Sequence, residues 1–312
     1  MSATKIAIIG VGKIAIDQHI PVIGKNADFE LVGLVSQRGL HVGDTPSFKT
    51  AAELFAAIPE VEAVAICTPP HVRHNIAREA LAAGKHVLLE KPPTATVAEM
   101  HDLTTAAREA GRVIFSTWHS QYNPGIDAAK ARLAGQKLKK LHIEWREDVR
   151  RWHPGQDWIW EAGNFGVFDT GINALSVLTK IAPGAMFVKS ATLEYPANRD
   201  TPIAASLVFS SNAGLPGAAL TAEIDWRQED KDIWNIEVVT ERETLLLTYG
   251  GSKLYVDGKL AVEASLAEYE GVYDHFAALL KANETWMDSA PFQLVADTFL
   301  IASRRLVAPF HW

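Results

Sequence analysis

Short runs of apolar side chains alternate with amphipathic stretches along residues 5–117. Strands that are apolar on both faces are typical of a parallel sheet covered by helices on both sides, so the stretches between them predict connecting helices. One such helix opens with the capping-box pair Thr96 and Glu99, and Gly111 lies where it should end. The predicted strands are 6–9, 31–35, 61–67, 86–89 and 113–115.

Beyond residue 120 the pattern changes to longer strand-like runs framed by helices. One helix is predicted to start at Asn123-Pro124 and to reach residue 133. Further helices are predicted at 165–181, 273–281 and 292–304. The runs between them indicate an open, mainly antiparallel sheet. Its predicted strands are 138–147, 191–195, 204–209, 218–224, 233–239 and 244–247.

A glycine-rich motif stands between the first predicted strand and the first predicted helix, where residues 10–15 read GVGKIA. Gly10 permits a tight turn, Gly12 lets the backbone approach a pyrophosphate, and the small Ala15 allows the helix to pack closely on the strand. The N–H groups of the helix start then face the phosphates. An ordinary strand-to-helix turn is the alternative, and the strand context disfavours it. The predicted dinucleotide ligands in this loop are Gly10, Gly12, Lys13, Ile14 and Ala15.

These patterns together predict an α/β protein with two domains. Residues 1–120 are expected to form an N-terminal Rossmann dinucleotide-binding domain. Residues 121–312 are expected to form a C-terminal α+β domain for substrate binding and oligomerisation, with a large open, mainly antiparallel sheet. Such a sheet would leave an apolar face exposed in a monomer, so we predict a homodimer through that face.

The end of the second predicted strand bears on the choice of cofactor. NAD-selective sites place an acid there to bind both ribose hydroxyls, but this chain has Ser36, Gln37 and Arg38. Ser36 and Arg38 are suited to a 2′-phosphate, Gln37 also suits an unmodified ribose, and a solvated Arg38 is an equal alternative. We therefore predict that these three residues bind the cofactor and that NAD and NADP are both accepted.

Composition excludes several classes of protein. The 312 residues carry a formal net charge of −7 and include one cysteine, Cys67. A chain with interspersed charges is not expected to bind nucleic acid or an anionic membrane, and a lone cysteine forms no internal disulfide. The first apolar run is too short for a secretion signal, so we expect a cytoplasmic protein. We expect no metal, because His71 and His74 lack a third ligand at zinc-site spacing.

Two further segments, ICTPPH at 66–71 and AGKHVLLEKP at 83–92, resemble the glucose–fructose oxidoreductase/inositol dehydrogenase family. The similarity extends over essentially the whole chain. It implies a nicotinamide-dependent oxidoreductase in which the Thr-Pro-Pro turn lies beside the nicotinamide and Lys91 points into the active site. Ligands of open parallel sheets bind at the carboxyl ends of strands, where Thr68, Glu90 and Lys91 are expected. The cofactor-binding residues implied here are Thr68, Pro69, His71, Glu90 and Lys91.

Residues 147–160 and 166–173 resemble the branch of that family which contains D-galactose and L-arabinose 1-dehydrogenases. The resemblance implies oxidation of an aldose at C1 to the aldonolactone. Asp169 and Asn173 are spaced i, i+4 on a predicted helix, so both lie on one face. The wider family carries a histidine at the second position, and an asparagine cannot take a proton.

Oxidation at C1 requires a base for the O1 proton. Asp169 is the candidate base, Asn173 would orient O1, and Lys91 would stabilise its developing negative charge. Lys91 is the alternative base if its pKa is depressed. A purely structural Asp169 that caps its helix or pairs near the helix start is the other interpretation.

Four side chains complete the predicted sugar pocket: His119, Glu147, Trp152 and His153. Glu147 and His153 would bind ring hydroxyls, and Trp152 would stack on the apolar face of the pyranose. Trp234 is a further candidate wall, and ordinary core packing is the alternative for the tryptophans. Competing functions are oxidation of a cyclitol or of another sugar position, and a dinucleotide-binding regulator without turnover.

Overall fold

The computed structural model describes residues 3–265 and 267–312, which form two compact units. The first comprises Met1–His119 with Glu268–Ser289, and the second comprises Ser120–Ala267 with Ala290–Trp312. The helices are α1 (Ile20–Ile23), α2 (Ala51–Ala57), α3 (Pro70–Ala82), α4 (Val97–Ala110), α5 (Ile126–Leu133), α6 (Val149–Trp152), α7 (Phe168–Ile181), α8 (Glu268–Ala282) and α9 (Ala290–Ile301).

A six-stranded parallel sheet forms the core of the first unit, in the order β3-β2-β1-β4-β5-β6. The five predicted strands are confirmed, and the two-residue β3 is an addition. Their central residues are almost completely buried, as the continuous apolar runs require. The strands are β1 (Thr4–Ile9), β2 (Phe29–Val35), β3 (Ser47–Phe48), β4 (Ala63–Ile66), β5 (His86–Leu89) and β6 (Ile114–Ser116).

Helix α8 belongs to the first unit although it follows most of the second along the chain. The prediction of one uninterrupted domain over 121–312 is therefore wrong for residues 268–289. The reason is aromatic packing: Phe276 is fully buried, with its ring centroid 5.8 Å from that of Phe29 and 5.9 Å from that of Phe115. Burial of such a ring contributes roughly 2–3 kcal/mol, which the local sequence pattern of α8 does not reveal.

A nine-stranded sheet dominates the second unit, in the order β14-β13-β12-β11-β7-β10-β9-β8-β15. It is mainly antiparallel, with β7·β10 and β8·β15 pairing in parallel. The helix predicted to reach residue 304 ends at Ile301, since the next segment pairs with β8. The strands are β7 (Leu138–Arg146), β8 (Met186–Pro196), β9 (Ala204–Ser211), β10 (Gly214–Asp225), β11 (Ile233–Val239), β12 (Thr244–Thr248), β13 (Lys253–Val256), β14 (Lys259–Glu263) and β15 (Ser303–Val307).

The two faces of this sheet differ in polarity. Helices α7 and α9 cover the face that carries the buried apolar residues. The other face is mainly polar, with Val208 exposed among polar side chains: Ser206 Oγ donates to Glu223 (2.7 Å) and Lys140 forms an ion pair with Glu237. The expectation of an apolar open face is therefore wrong, because alternate residues of these strands are polar. Among the described helices, none combines the length and apolar character needed to span a membrane.

Candidate active site

The glycine-rich loop of the first unit has the geometry that a pyrophosphate requires. Gly10 has φ +98°, and a Cβ there would lie 2.8 Å from the Thr68 backbone nitrogen, so only glycine fits. A Cβ on Gly12 would meet nothing within 4 Å, which leaves open space above the loop. Ala15 is fully buried, as close packing of the helix on the strand demands. The loop thus fits a dinucleotide.

The turn after β2 presents Gln37 and Arg38 as exposed side chains. Ser36 is buried, and its Oγ accepts a hydrogen bond from the Leu40 N–H (3.1 Å), so this hydroxyl caps the turn. There is no carboxylate among these residues to repel a 2′-phosphate.

Two strand-end turns, one carrying Thr68 and one carrying Lys91, are clamped by the buried Arg73 of α3. The guanidinium donates to the Thr68 carbonyl (3.0 Å) and to the carbonyls of Glu90 and Pro92. The Lys91–Pro92 peptide bond is cis. The Thr68 Oγ1 is buried without a hydrogen-bond partner in the described chain, which is consistent with a bound ligand.

The two other residues implied for this region, Pro69 and His71, lie at the start of α3. Pro69 is the residue that precedes the first turn, and His71 is exposed within it. Lys13 of the glycine-rich loop is also exposed and forms an ion pair with Asp17, while Ile14 is partly buried. Lys13 and Ile14 directly precede the first helical segment (Ala15–His19), which follows β1, and Pro69 and His71 lie at the start of α3, which follows β4.

Glu90 is the centre of a buried polar cluster. Its Oε1 accepts from His19 Nε2 (3.0 Å) and from the Tyr269 hydroxyl (2.7 Å), and its Oε2 accepts from the Lys91 N–H (2.9 Å). On the other side of the ring, His19 Nδ1 lies 2.7 Å from the Tyr273 hydroxyl. The cluster therefore joins the first helical segment, the end of β5 and α8. Its carboxylate directly fixes the backbone of Lys91.

The cluster is also electrostatically coupled. Burial alone would raise the pKa of Glu90, but the hydrogen bond and charge of His19 hold that pKa well below its ordinary value. Burial would lower the pKa of His19, but Cys67, Tyr273 and Glu90 raise it well above its ordinary value. Burial raises the pKa of Tyr273 to about 12. Both shifts favour the charged form of the His19–Glu90 pair.

His119 belongs to the first unit, unlike the other predicted sugar-binding residues. Its Nδ1 lies 2.9 Å from Glu268 Oε2, and its ring stacks on Tyr269 with centroids 5.4 Å apart. His119 is therefore linked through Tyr269 to the cluster around Glu90.

In the second unit, Asp169 lies at the start of α7 beside an imidazole from the preceding loop. His153 Nε2 is 3.4 Å from Asp169 Oδ2, and each side chain is 13% exposed. Asn173 follows one turn later on the same helix face. Asp169 does not cap the helix, because the N-cap is Val167 and no side chain caps it, but the pairing of Asp169 near the helix start is observed in its contact with His153.

The remaining predicted sugar ligands form a second group in this unit. Trp234 Nε1 donates to Glu147 Oε2 (3.1 Å), and the Trp152 and Trp234 rings are 5.6 Å apart. Trp152 is 38% exposed, whereas Glu147 is buried. An exposed indole beside a buried carboxylate suits a ligand with one apolar face and several hydroxyls.

Sequence reasoning missed Trp226, which is fully buried under His153 with ring centroids 5.4 Å apart. Its Nε1 donates to Thr170 Oγ1 (3.0 Å), next to Asp169. It also missed His19 and Tyr269, whose roles depend on contacts between segments far apart in sequence. No local motif marks these three residues.

Comparisons with known proteins extend over the whole chain. A family model described as an oxidoreductase family with an NAD-binding Rossmann fold matches residues 4–117. Galactose 1-dehydrogenase from Pseudomonas fluorescens is 41% identical over 311 residues, which is 100% of both chains. The crystal structure of D-galactose-1-dehydrogenase from Rhizobium etli is 47% identical with a TM-score of 0.94, covering 100% of this chain and 99% of that one. A 3-ketoreductase from Actinomadura kijaniata in complex with NADP has a TM-score of 0.83, and the match covers 98% of this chain and 100% of that one. At 16% identity, this likeness supports the fold alone.

Proposed function

The chain belongs to the oxidoreductase family with an NAD-binding Rossmann fold, and from that premise we propose that it is an aldose 1-dehydrogenase acting on D-galactose. It oxidises C1 to the aldonolactone and also accepts D-fucose and L-arabinose. One observation carries this proposal: the similarity to galactose 1-dehydrogenases covers the substrate-binding unit as well as the dinucleotide-binding unit. A regulator without turnover is disfavoured, because the chain is a member of an enzyme family and has the complete phosphate loop.

Asp169 is the proposed base of the reaction. As the C1 hydride leaves, the O1 proton passes to the Asp169 carboxylate, and O1 becomes the carbonyl oxygen of the lactone. The neighbouring His153 supports the carboxylate through its contact at 3.4 Å. Asn173 orients O1 through its amide, which donates and accepts hydrogen bonds without changing protonation state.

Lys91 has a separate role in the proposal. Its ammonium stabilises the negative charge that develops on O1. The hydrogen bond from its own N–H to Glu90, together with the Arg73 contacts on either side, supports a fixed position for the backbone of this residue. The alternative, in which Lys91 is the base, makes a different kinetic prediction.

Sugar binding is assigned to the two groups of side chains in the second unit and to His119. Trp152 stacks on the C–H face of the pyranose, with Trp234 as a further wall. Glu147, His153 and His119 bind ring hydroxyls. The pairing of Trp234 with Glu147 supports this assignment because it orients the carboxylate beside an aromatic surface.

The nicotinamide cofactor, NAD or NADP, supplies the hydride acceptor when bound. Gly10, Gly12 and the following backbone N–H groups hold its pyrophosphate. Thr68, with its unpartnered buried hydroxyl, contacts the cofactor at the next strand end. Both dinucleotides are accepted, because no acid follows β2.

The test is a panel of aldoses assayed with both dinucleotides. D-Galactose, D-fucose and L-arabinose should turn over at similar rates, since L-arabinopyranose matches D-galactopyranose from C1 to C4. D-Glucose, the C4 epimer, leaves buried polar groups of the site unpaired and should be poorer by up to about 10⁴-fold in kcat/KM. Glucose oxidised as efficiently as galactose would end the assignment.

A homodimer through the polar open face of the nine-stranded sheet is part of the proposal. Alternation along β9 exposes Val208 on that face, among the polar residues of β7 and β10. A two-fold interface would pair this patch with its own copy.

A further inference from the structure

Three aromatic and polar residues at 310–312, which we call the strap, pack against the loop that carries His153. Phe310 is 5% exposed, and its ring centroid lies 4.9 Å from that of Trp160. Trp312 Nε1 donates to Asp157 Oδ1 (2.8 Å), three residues before Trp160. The strap therefore contacts the loop at two points.

Two further residues, Asn198 and Arg150, bind the strap. Asn198 accepts from the Phe310 N–H and donates to the Phe310 carbonyl, both at 2.9 Å, as a paired strand would. Arg150 donates to the His311 carbonyl (3.3 Å) and lies 4.7 Å above the Phe310 ring. A cation over an aromatic face and a two-bond amide clamp together restrict the ring to one position.

From the strap, ring contacts lead without interruption to the candidate base. Trp160 meets Trp226 edge to face at 5.4 Å, and Trp226 supports the His153 ring at 5.4 Å. His153 in turn lies 3.4 Å from Asp169. Trp226 and Trp160 are almost completely buried, so a shift of Phe310 displaces packed neighbours rather than solvent.

We propose that the strap positions the sugar site: Phe310 and Trp312 hold Trp160 against Trp226, and Trp226 fixes His153 and the first turn of α7 that carries Asp169. Phe310, Trp312 and Trp160 are positioning residues, since they act through Trp226 and His153. Arg150 connects the strap to the sugar site by a second route, because it contacts the Phe310 ring and lies two residues before Trp152 on α6. This inference rests on the proposed function for the identity of the reacting pair.

The test compares Phe310→Ala with Phe310→Leu, which keeps most of the side-chain volume, and with Leu300→Ala as a control on an 82% exposed residue of α9. Phe310→Ala should lower kcat/KM for the sugar by about 10- to 100-fold, because a small misplacement of reacting groups has effects of that size. The KM for the dinucleotide should stay unchanged, Phe310→Leu should recover most of the loss, and Leu300→Ala should match the wild type.

The sugar in this assay is whichever aldose the wild-type enzyme oxidises fastest, so failure of the galactose assignment does not affect the outcome. Near-ultraviolet circular dichroism, which reports the Trp160–Trp226 coupling without substrate, should change in Phe310→Ala. If that variant does not fold, Phe310→Leu and Trp312→Phe carry the test; the second removes the bond to Asp157 and keeps an aromatic ring at the position. Unchanged sugar kinetics in every folded variant, or an equal rise in both KM values, would overturn the proposal.

Discussion

Asp169 has an imidazole neighbour that its own helix does not supply. The position one turn later carries Asn173, so His153 reaches the carboxylate from the preceding loop. The proposed proton acceptor is thus a carboxylate supported from a second element. This arrangement separates the proposed base from the residue proposed to orient O1, and single substitutions can therefore distinguish the two roles.

Asp169→Asn should preserve size and hydrogen bonding while removing the proton acceptor. We expect kcat to fall by about 10²- to 10⁴-fold with little change in KM for either substrate. Asn173→Ala should lower kcat by a smaller factor, because the proposed base remains. Asp127→Asn, the same change at a carboxylate that is 85% exposed, is the matched control and should be neutral.

Steady-state kinetics of Lys91→Met decide between the two candidate bases. If Lys91 only stabilises charge, its variant should lose less in kcat than Asp169→Asn does. A larger kcat defect in Lys91→Met, with Asp169→Asn raising mainly KM, would identify Lys91 as the base. Near-normal kcat in Asp169→Asn would rule out the proposed mechanism.

The predicted acceptance of NADP depends on Arg38. It is exposed, and within the described residues it has no ion-pair partner, so it is available to a 2′-phosphate. Arg38→Ala should lower kcat/KM for NADP by about tenfold or more relative to NAD, the effect of one lost charged hydrogen bond. Initial rates with both dinucleotides measure this, and equal losses would show that Arg38 does not bind that phosphate.

At the scale of elements, the buried pair His19–Glu90 joins the first helical segment to the end of β5, and Tyr269 and Tyr273 join both to α8. His19 has a folded-state pKa above its ordinary 6.5, so its contribution to stability is complete below that pH and is lost as pH rises through the folded value. Glu90 has a folded-state pKa below its ordinary 4.5, so its contribution is present above that pH and is lost as pH falls through the folded value. Both contributions are therefore complete between pH 4.5 and 6.5.

His19→Gln should reduce the free energy of unfolding most in that window, by about 3–5 kcal/mol, because it leaves a buried carboxylate without its charged partner. The deficit should shrink as pH rises, since the wild-type pair then loses its own proton. Urea unfolding from pH 5 to 9 measures both. His74→Gln, at the partly exposed pair with Asp102, is the control and should have a small effect. A deficit independent of pH would contradict this account.

Local patterns predicted the elements whose stability is local. Continuous apolar runs identified β1, β2, β4, β5 and β6, and the capping box identified α4, where both Thr96 and Glu99 bond as expected. The predicted helix 292–304 includes the first two residues of β15, because the conformation of this strand depends on its pairing with β8, over a hundred residues away. The place of α8 depends in the same way on Phe29 and Phe115.

The candidate site likewise combines features that local sequence predicts with features that depend on contacts between distant segments. Spacing alone placed Asp169 and Asn173 on one face of α7, and the glycine motif located the phosphate loop. The approach of His153 to Asp169 depends on the loop between them, and the support from Trp226 depends on β10. Such contacts leave no periodic signal, so the sequence predicts His153 as a sugar ligand and does not reveal its contact with the Asp169 carboxylate.

At the scale of the whole molecule, the open face of the nine-stranded sheet is the surface that the homodimer prediction requires. Its polar side chains already pair within the chain, as Lys140 does with Glu237 and Arg227 with Glu194. An interface there would resemble the polar rather than the apolar class, and a single added charge should be enough to weaken it.

Val208→Glu places a charge on that face, at a side chain that is 40% exposed and opposite Thr221 of β10. In a two-fold dimer the substitution occurs twice across the same interface, so dissociation should become at least about tenfold more favourable for each 1.4 kcal/mol of repulsion. Leu300→Glu adds the same charge on α9, which covers the opposite face of the sheet, and should leave the assembly intact.

Sedimentation velocity over a range of concentrations should show a wild-type dimer, a dimeric Leu300→Glu and a largely monomeric Val208→Glu. A monomeric Leu300→Glu with a dimeric Val208→Glu would move the interface to the helical side, and a wild type that stays monomeric throughout would remove the dimer from the proposal.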